Sequence, residues 1–262
     1  AASKQGTPVD FYDCDVEAPN AALFLNPVFS EERDASIPIP EINMQRCTLC
    51  GRCVEVCVYN ALALVGEEVR VFPAMGHGCG SCTTICPEAA ISEAPHRIGV
   101  IESGSAGEIH FHHGRMDVGE AMATPIIHAM KSMMPDDEEG VVLLDAPPGT
   151  ACPVVETVRG MDYVLMVTEP TPFGFHDLRQ AVKLVRDEMN IPVGVMLNRD
   201  GIGDDRVEQY CQENDIPILL RIPFDRKIAE ACSEGLSLVD ARPEYYSQLV
   251  DLLDSLTEQV PV

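Results

Sequence analysis

The stretch CTLCGRCVEVC, residues 47–57, separates successive cysteines by two, two and three residues. Its cysteines are Cys47, Cys50, Cys53 and Cys57. Three thiolates at this spacing can surround one inorganic core from a single loop, whereas the fourth lies one helical turn further on and points away. The chain has 11 cysteines in 262 residues, and their clustering indicates metal binding in a reducing compartment instead of disulfides. We therefore expect the protein to be cytoplasmic.

An internal repeat extends this pattern. An offset of 29 residues superimposes a second set of cysteines and small residues on the first: Cys50 on Cys79, Cys53 on Cys82, Cys57 on Cys86, Gly51 on Gly80 and Ala61 on Ala90. A fixed offset that preserves ligands and packing residues is typical of a duplicated unit. The spacing is that of bacterial two-cluster ferredoxins. A four-cysteine zinc site is the alternative, but it usually pairs two CxxC knuckles across a longer spacer.

The fourth cysteine of each run is expected to bind the cluster of the other run, as in other two-cluster modules. A complete set for one [4Fe-4S] cluster is then formed by Cys47, Cys50, Cys53 and Cys86. The second site would have three ligands, Cys57, Cys79 and Cys82, because the offset carries Cys47 onto Gly76. Three outcomes are open there: a [3Fe-4S] cluster, a [4Fe-4S] cluster completed by water or His77, or an empty site. We expect this second cluster to be the more labile.

The composition limits the partners. The chain has 18 Lys and Arg against 42 Asp and Glu, a formal net charge of −24, which argues against a nucleic-acid partner. This acidity indicates either simple solubility or a docking face for a basic redox partner. No run of about 18 uninterrupted apolar residues occurs, so the sequence predicts no membrane span.

Outside the cysteine-rich segment, strand-like and helical patterns alternate, which predicts an α/β fold with a mostly parallel, doubly wound sheet. The strand-like runs are residues 9–12, 141–144, 163–167, 193–197 and 216–222. The helical patterns are residues 120–134, 174–189, 204–214, 226–233 and 243–258.

The cysteine-rich segment interrupts this pattern and is therefore an inserted module. We predict an α+β ferredoxin-like module at 45–93, between the two parts of the larger domain at 1–44 and 94–262. Residues 26–44, which contain Pro27, Pro38 and Pro40, are interpreted as a linker into the module. Residues 98–101 and 109–113 are predicted to form a hairpin on the return.

Two predicted strands end in acidic turns. Residues 9–12 run into DCDVEAPN at 13–20, and residues 141–144 run into DAPPGT at 145–150. Ligands of open parallel sheets bind outside the carboxyl ends of the strands. An Asp at such an end, followed by a Gly/Pro turn, is how P-loop enzymes hold Mg²⁺. A single Asp after a strand is more often a helix cap, but two with these tails favour a binding site.

With these motifs the chain resembles the MinD/ParA/Mrp-type P-loop ATPases, specifically the subgroup with an inserted two-cluster ferredoxin domain. The resemblance covers essentially all 262 residues and includes TEPTPFGFHDL at 168–178 and LNRDG at 197–201. It implies that Asp15 positions the attacking water, Asp13 supports the Mg²⁺ site and Asp145 is the Walker B aspartate. It further implies that Gly149 belongs to switch II, with the base bound by Asn198, Pro223 and Asp225.

The chain departs from that family in one respect. Family members begin with a KGGxGKT-type phosphate loop, whereas no GK[ST] sequence occurs here. The lysines are Lys4, Lys131, Lys183 and Lys227, none in a glycine-rich loop. We therefore expect a segment with that loop and the first strand of the sheet to precede Ala1, since otherwise a sheet edge is exposed. Without the loop the chain would bind ATP poorly, so ATP and Mg²⁺ are expected only together with it.

Three functions follow. The first is an iron–sulfur ATPase-family protein that couples nucleotide binding and hydrolysis to electron transfer towards a redox partner. The second is an ATP-dependent cluster carrier or assembly factor that delivers a labile cluster to an apo-iron–sulfur protein, which the incomplete second site favours. The third is a non-hydrolytic ferredoxin-type electron carrier with a docking scaffold. The family resemblance also implies a homodimer.

The remaining cysteines and histidines are expected to be structural. Cys14, Cys211 and Cys232 are interpreted as packing residues. Cys152 follows the DAPPGT turn near the expected dimer face, where it is either a small buried hydrophobe or an intersubunit group. Three histidines of the predicted hairpin, His110, His112 and His113, are expected on the surface, and Asp136–Glu139 is expected to be a solvated loop.

Overall fold

A computed structural model describes residues 2–135 and 140–259, so the predicted loop at 136–139 lies outside the described residues. The strands are β1 (Val9–Asp13), β2 (Val28–Ile42), β3 (Leu62–Val65), β4 (Glu68–Val71), β5 (Ile91–Ala106), β6 (Ile109–Met116), β7 (Val141–Asp145), β8 (Val164–Thr168), β9 (Val193–Asp200) and β10 (Ile218–Pro223). The α-helices are α1 (Ala22–Leu25), α2 (Arg52–Val56), α3 (Ser81–Ile85), α4 (Thr124–Lys131), α5 (Cys152–Val158), α6 (Pro172–Val182), α7 (Arg206–Glu213), α8 (Arg226–Ser233), α9 (Leu238–Ala241) and α10 (Tyr245–Gln259). A π-helical turn, Lys183–Glu188, continues α6.

The larger domain is α/β with mostly parallel strands, as predicted. Its five-stranded sheet has the order β2-β5-β6-β1-β7, in which β1 is parallel to both β6 and β7. A second, three-stranded sheet has the order β10-β9-β8 and is parallel throughout. The terminal strands β7 and β8 each carry a large exposed apolar side chain, Leu143 at 43% and Val167 at 62% exposure.

Each sheet buries an apolar core against helices. In the five-stranded sheet, Tyr12 and Ile98 pack against Ile126 and Met130 of α4, which recur at helical spacing. In the three-stranded sheet, Val195 and Leu197 belong to a core that also contains Val182 at the end of α6 and Val207 of α7. The predicted strands and helices at 141–258 therefore exist, with bounds that differ by a few residues, and α9 is an additional short helix.

Residues 26–44 are not a linker, so that prediction is wrong. They contain β2, which pairs with β5 over its whole length, from Val28 opposite Ser105 to Ile42 opposite Ile91. Pro38 and Pro40 are tolerated because β2 is an edge strand, and residues two apart direct their missing N–H groups to the same unpaired side. The resulting antiparallel ribbon, β2 with β5, joins the larger domain to the cysteine-rich module without a break. The hairpin predicted at 98–113 exists as the longer pair β5 and β6.

Lys131 closes the C-terminal end of α5. Its ammonium group donates hydrogen bonds to the backbone carbonyls of Glu156 (2.7 Å), Thr157 (3.0 Å) and Arg159 (2.5 Å). A cation is favourable here because the last carbonyls of a helix have no partner within the helix.

We expect Lys131→Met to destabilise the fold by about 1.5–3 kcal/mol, because it keeps the aliphatic stem and removes the charged donor. Urea unfolding followed by circular dichroism measures this change. Lys183→Met is the control, since Lys183 is exposed and only 3.8 Å from Glu188 in a surface ion pair. Equal losses in the two variants would contradict the capping role.

Candidate iron–sulfur centre and neighbouring acidic site

The two cysteine loops adopt the same conformation. Gly51 and Gly80, which the offset of 29 residues relates, have φ angles of 77° and 69° and immediately precede α2 and α3. A left-handed backbone conformation favours glycine at both positions. The helices then end at Cys57 and Cys86, so the fourth cysteine of each run stands at the end of a one-turn helix.

Backbone amides bind the sulfur atoms of both terminal cysteines. The Ala61 N–H donates to Cys57 Sγ and the Ala90 N–H donates to Cys86 Sγ, each at 3.3 Å. The chain turns back towards these sulfurs through Asn60 and Ala89, whose φ angles are 54° and 45°. An N–H donor stabilises the thiolate over the thiol, so both cysteines are prepared to act as ligands.

The repeat also explains why the two halves interlock. The Phe72 N–H donates to the Ala61 carbonyl and the Asn43 N–H donates to the Ala90 carbonyl, both at 2.8 Å. Each bond becomes the other when one partner moves forward and the other back by the repeat offset. The strand pairs Leu62 with Val71 and Ile42 with Ile91 follow the same rule. The module therefore has an internal pseudo-two-fold arrangement, in which each half pairs with the other.

One cavity brings together four cysteines from both halves. It encloses about 350 Å³ and is lined by the predicted first set, Cys47, Cys50, Cys53 and Cys86. Apolar side chains of Ile42, Val69 and Ile91 complete its wall. The donor set, four sulfurs on an apolar cavity, fits a [4Fe-4S] cluster.

Equivalent cysteines have equivalent surroundings. Cys53 and Cys82 are buried, whereas Cys50 and Cys79 are exposed. Burial raises the pKa of the Cys53 and Cys82 thiols, and the Ser81 hydroxyl beside Cys79 lowers the pKa of that thiol. Within residues 2–135 and 140–259, no three His, Cys, Asp or Glu side chains converge on a single metal ion. Ligands of a cubane need not converge in this way, because each binds a different iron.

The second predicted set is Cys57, Cys79 and Cys82, and the repeat position of Cys47 is Gly76. A Cβ atom added at Gly76 would stand 2.4 Å from Cδ1 of Ile39 and 3.3 Å from the Pro73 carbonyl oxygen. This backbone position therefore has no room for a thiol side chain unless Ile39, which is buried, moves.

The acidic turns of β1 and β7 lie side by side. Asp13 is opposite Asp145 at the carboxyl ends of these parallel strands, and the Cys14 N–H donates to the Asp145 carbonyl at 2.9 Å. Asp13 is fully buried, and its carboxylate accepts hydrogen bonds from the backbone N–H groups of Asp15 (3.2 Å), Asn20 (3.0 Å) and Ala21 (2.9 Å). Asp13 thus anchors both ends of the turn that contains DCDVEAPN.

The charge of this acidic site is not balanced. Burial raises the pKa of Asp145, and the negative charges of Asp13 and Asp15 raise it further. Burial likewise raises the pKa of Asp13, although its three backbone donors and His113 oppose the shift. Carboxylates held in this way at strand ends are typical of functional sites.

We expect Asp145→Asn to stabilise the fold at pH 7, with a rise in Tm of about 2–4 °C. The raised pKa means that the folded state disfavours the ionised Asp145, a cost that is complete above the folded-state pKa. The gain should therefore shrink as the pH falls through that pKa and vanish near the ordinary value of about 4. Thermal unfolding at both pH values, with exposed Asp162→Asn as control, measures it. A gain that grows on acidification would contradict the argument.

The other predicted nucleotide-site residues lie on loops after parallel strands. Gly149 follows β7 with a φ angle of 94°. Asn198 is near the end of β9, where its side-chain oxygen accepts the Arg199 N–H at 3.0 Å. Pro223 ends β10, and Asp225 caps α8 by accepting the Lys227 N–H at 2.8 Å. Asp225 also pairs with Arg242, which lowers the pKa of that carboxyl.

Several smaller predictions are wrong. His113 is buried, with Nε2 2.9 Å from a Glu102 carboxylate oxygen, and the half-buried His112 stacks on Tyr12. The physical reason is that β6 lies inside the five-stranded sheet, where both faces of a strand are covered. His110 is exposed, as predicted. Cys232 is exposed and is not a packing residue, whereas Cys14 and Cys211 are buried; Cys152 is exposed as well.

Sequence comparisons identify an iron–sulfur domain and several relatives. The profile of the 4Fe-4S binding domain family matches residues 39–62. Two uncharacterised proteins of Methanocaldococcus jannaschii are 29% and 27% identical to this chain, over 87% and 94% of it and 79% and 84% of their own lengths. The iron–sulfur cluster carrier protein of Rickettsia bellii is 28% identical over 45% of this chain and 38% of that protein.

Structural comparison concerns the whole chain. The cell division ATPase MinD of Pyrococcus furiosus superimposes with a TM-score of 0.54 at 18% identity, covering 97% of this chain and 88% of that one. The septum site-determining protein MinD of Pyrococcus horikoshii, solved with Mg-ADP, gives a TM-score of 0.52 at 16% identity over 98% and 84%. None of the helices in the described residues has the length and apolar character of a membrane span.

Proposed function

The chain is an iron–sulfur-binding protein with the MinD/ParA-type P-loop ATPase fold, and from this premise we propose that its inserted module transfers single electrons to a partner. One observation carries the proposal: cysteines from both halves of the module surround one apolar cavity. A [4Fe-4S] cluster supplies a one-electron redox couple when bound there. We further propose that the acidic site of the larger domain controls this transfer.

The residues of the module would each contribute to the redox function. Cysteine thiolates hold the cluster from two loops, which keeps the loops together. The amides of Ala61 and Ala90 donate to sulfur, and such bonds are one means by which a protein raises a cluster potential. Ile42, Val69 and Ile91 limit the access of water to the first cavity.

The antiparallel ribbon supports the proposed control. Asp13 anchors the turn through Asn20 and Ala21, α1 follows at Ala22, and β2 begins at Val28. The same strand pairs with β5 as far as Ile42 and Ile91, and both of these residues line the first cavity. A movement of the turn would therefore reach the module through one continuous pair of hydrogen-bonded strands.

The nucleotide part of the proposal concerns the strand ends. Asp145, together with Asp15 and Asp13, would bind Mg²⁺ and orient water, and Gly149 would lie in the turn that responds to the γ-phosphate. Asn198, Pro223 and Asp225 would contact the base. Because these 262 residues contain no GK[ST] sequence, this role applies where a phosphate loop is present. We propose a homodimer in the cytoplasm as the working form.

A cluster carrier is the second candidate function. The second site offers three cysteines, and a cluster with an incomplete ligand set is released more easily than one with four thiolates. The relatives named iron–sulfur cluster carrier protein support this candidate over the part of the chain that they match. The partner would then be an apo-iron–sulfur protein.

Anaerobic reconstitution of the full chain tests both candidates. Broad absorption near about 400 nm that dithionite bleaches is expected, with acid-labile sulfide. The reduced protein should then reduce cytochrome c, a basic one-electron acceptor, at a rate that falls at least tenfold between about 20 mM and 500 mM salt, as attraction to an acidic protein requires. Colourless protein without sulfide would refute the proposal. Transfer of ⁵⁵Fe to apo-ferredoxin, with no electron transfer, would favour the carrier.

A further inference from the structure

His77 has the contacts of a prepared metal ligand. It follows Gly76, the residue that stands where the repeat requires a cysteine, and it precedes Cys79 by two residues. Its imidazole stacks face to face on Tyr59, with ring centroids 3.5 Å apart and planes 6° apart. Tyr59 follows Cys57 by two residues, so the stack joins the two segments that supply cysteines to the second site.

A hydrogen bond fixes the tautomer of this imidazole. Nδ1 lies 3.1 Å from the Met75 carbonyl oxygen, and since a carbonyl only accepts, Nδ1 must carry the proton. In the neutral ring Nε2 is then unprotonated and has a free lone pair. Metal-binding histidines in proteins commonly show this pattern, with one nitrogen donating to a carbonyl and the other bound to metal.

We propose that Nε2 of His77 is the fourth ligand of the second site and completes a [4Fe-4S] cluster with Cys57, Cys79 and Cys82. This inference rests on the proposed presence of two clusters. The backbone at Gly76 would place a Cβ atom 2.4 Å from Ile39, so a thiol is not accommodated there. The imidazole reaches further from the backbone than a thiol and can compensate for the shift of one residue.

Histidine ligation makes the two sites chemically different. The first has four thiolates, whereas the second would have three thiolates and a neutral nitrogen. Replacing thiolate by imidazole lowers the negative charge of the site, which raises its reduction potential. Electrons would therefore move from the first site to the second, which also lies beside the exposed Tyr59 and His77 and is the natural exit to a partner.

Pulsed EPR of the dithionite-reduced full chain tests this ligand. Protein labelled with ¹⁵N-histidine should show a strong nitrogen coupling of the size expected for direct coordination. His77→Ala should lose that coupling and show an oxidised [3Fe-4S] signal, with iron falling from about eight to about seven atoms per chain. Thr48→Ala is the matched control, because the repeat offset relates Thr48 to His77, and it should behave as wild type.

A rescue variant separates ligation from structure. Gly76→Cys combined with His77→Ala and Ile39→Val supplies the repeat thiolate and removes the Cδ1 atom that blocks it. It should regain about eight iron atoms without nitrogen coupling, and Ile39→Val alone should keep the coupling. Two [4Fe-4S] clusters without nitrogen coupling, or a [3Fe-4S] signal in the wild type, would overturn the inference alone. Absence of any cluster in the wild type would refute the proposed function.

Discussion

Cys86→Ala should damage the first cluster, although Cys86 belongs to the second cysteine loop. Its thiol lines the cavity with Cys47, Cys50 and Cys53, so its removal leaves the first site with three thiolates. We expect the EPR signal of the reduced first cluster to fall at least tenfold and iron content to drop. Iron analysis, sulfide analysis and EPR after anaerobic reconstitution provide the measurement.

Reference variants make this test independent of spectral assignment. Cys50→Ala alters the first site and Cys79→Ala alters the second, whichever way the fourth cysteines are shared. Crossed ligation predicts that Cys86→Ala resembles Cys50→Ala and that Cys57→Ala resembles Cys79→Ala. The comparison is matched, since both terminal cysteines accept one backbone N–H at 3.3 Å. The opposite pairing of spectra would show that each loop holds its own cluster.

The cysteine site was predictable because its information is local and repeated. Ligand spacing and the offset of 29 residues identified the sets, and the structure gives equivalent residues the same φ angles and the same N–H to sulfur bonds. The alternation of patterns likewise predicted the α/β class, because strand and helix periods differ. Both inferences needed only residues close together in the sequence.

The ribbon was missed because prolines were interpreted as linker residues. The overlooked signal is the alternation of Ala35, Ile37 and Ile39, which are buried at every second position. Pairing with β5 decides the structure there, and the partner lies tens of residues away. The burial of His113 was missed for a similar reason, since only the order of strands in the sheet shows that β6 is internal. Long-range pairing is what local patterns fail to specify.

Asp13→Ala should cause the largest loss of stability among the acidic residues at the strand ends. It removes an acceptor of three backbone N–H groups at a fully buried position. Buried donors left without partners cost about 1–3 kcal/mol each, so we expect a total of about 3 kcal/mol or more. Thermal unfolding should show a decrease in Tm of roughly 6–12 °C.

Comparison with Asp15→Ala separates anchoring from general loss of charge. Asp15 lies in the same turn, and the described structure gives its carboxylate no backbone donor, so its removal should change Tm by less than about 2 °C. In Asp13→Ala, hydrogen exchange of the Asn20 and Ala21 amides should become at least tenfold faster, because these amides lose their acceptor. If the turn controls the module, faster exchange should extend along β2 to Ile42, at the wall of the first cavity. Faster exchange confined to the turn would separate the anchor from the ribbon and remove the structural basis for coupling the acidic site to the clusters.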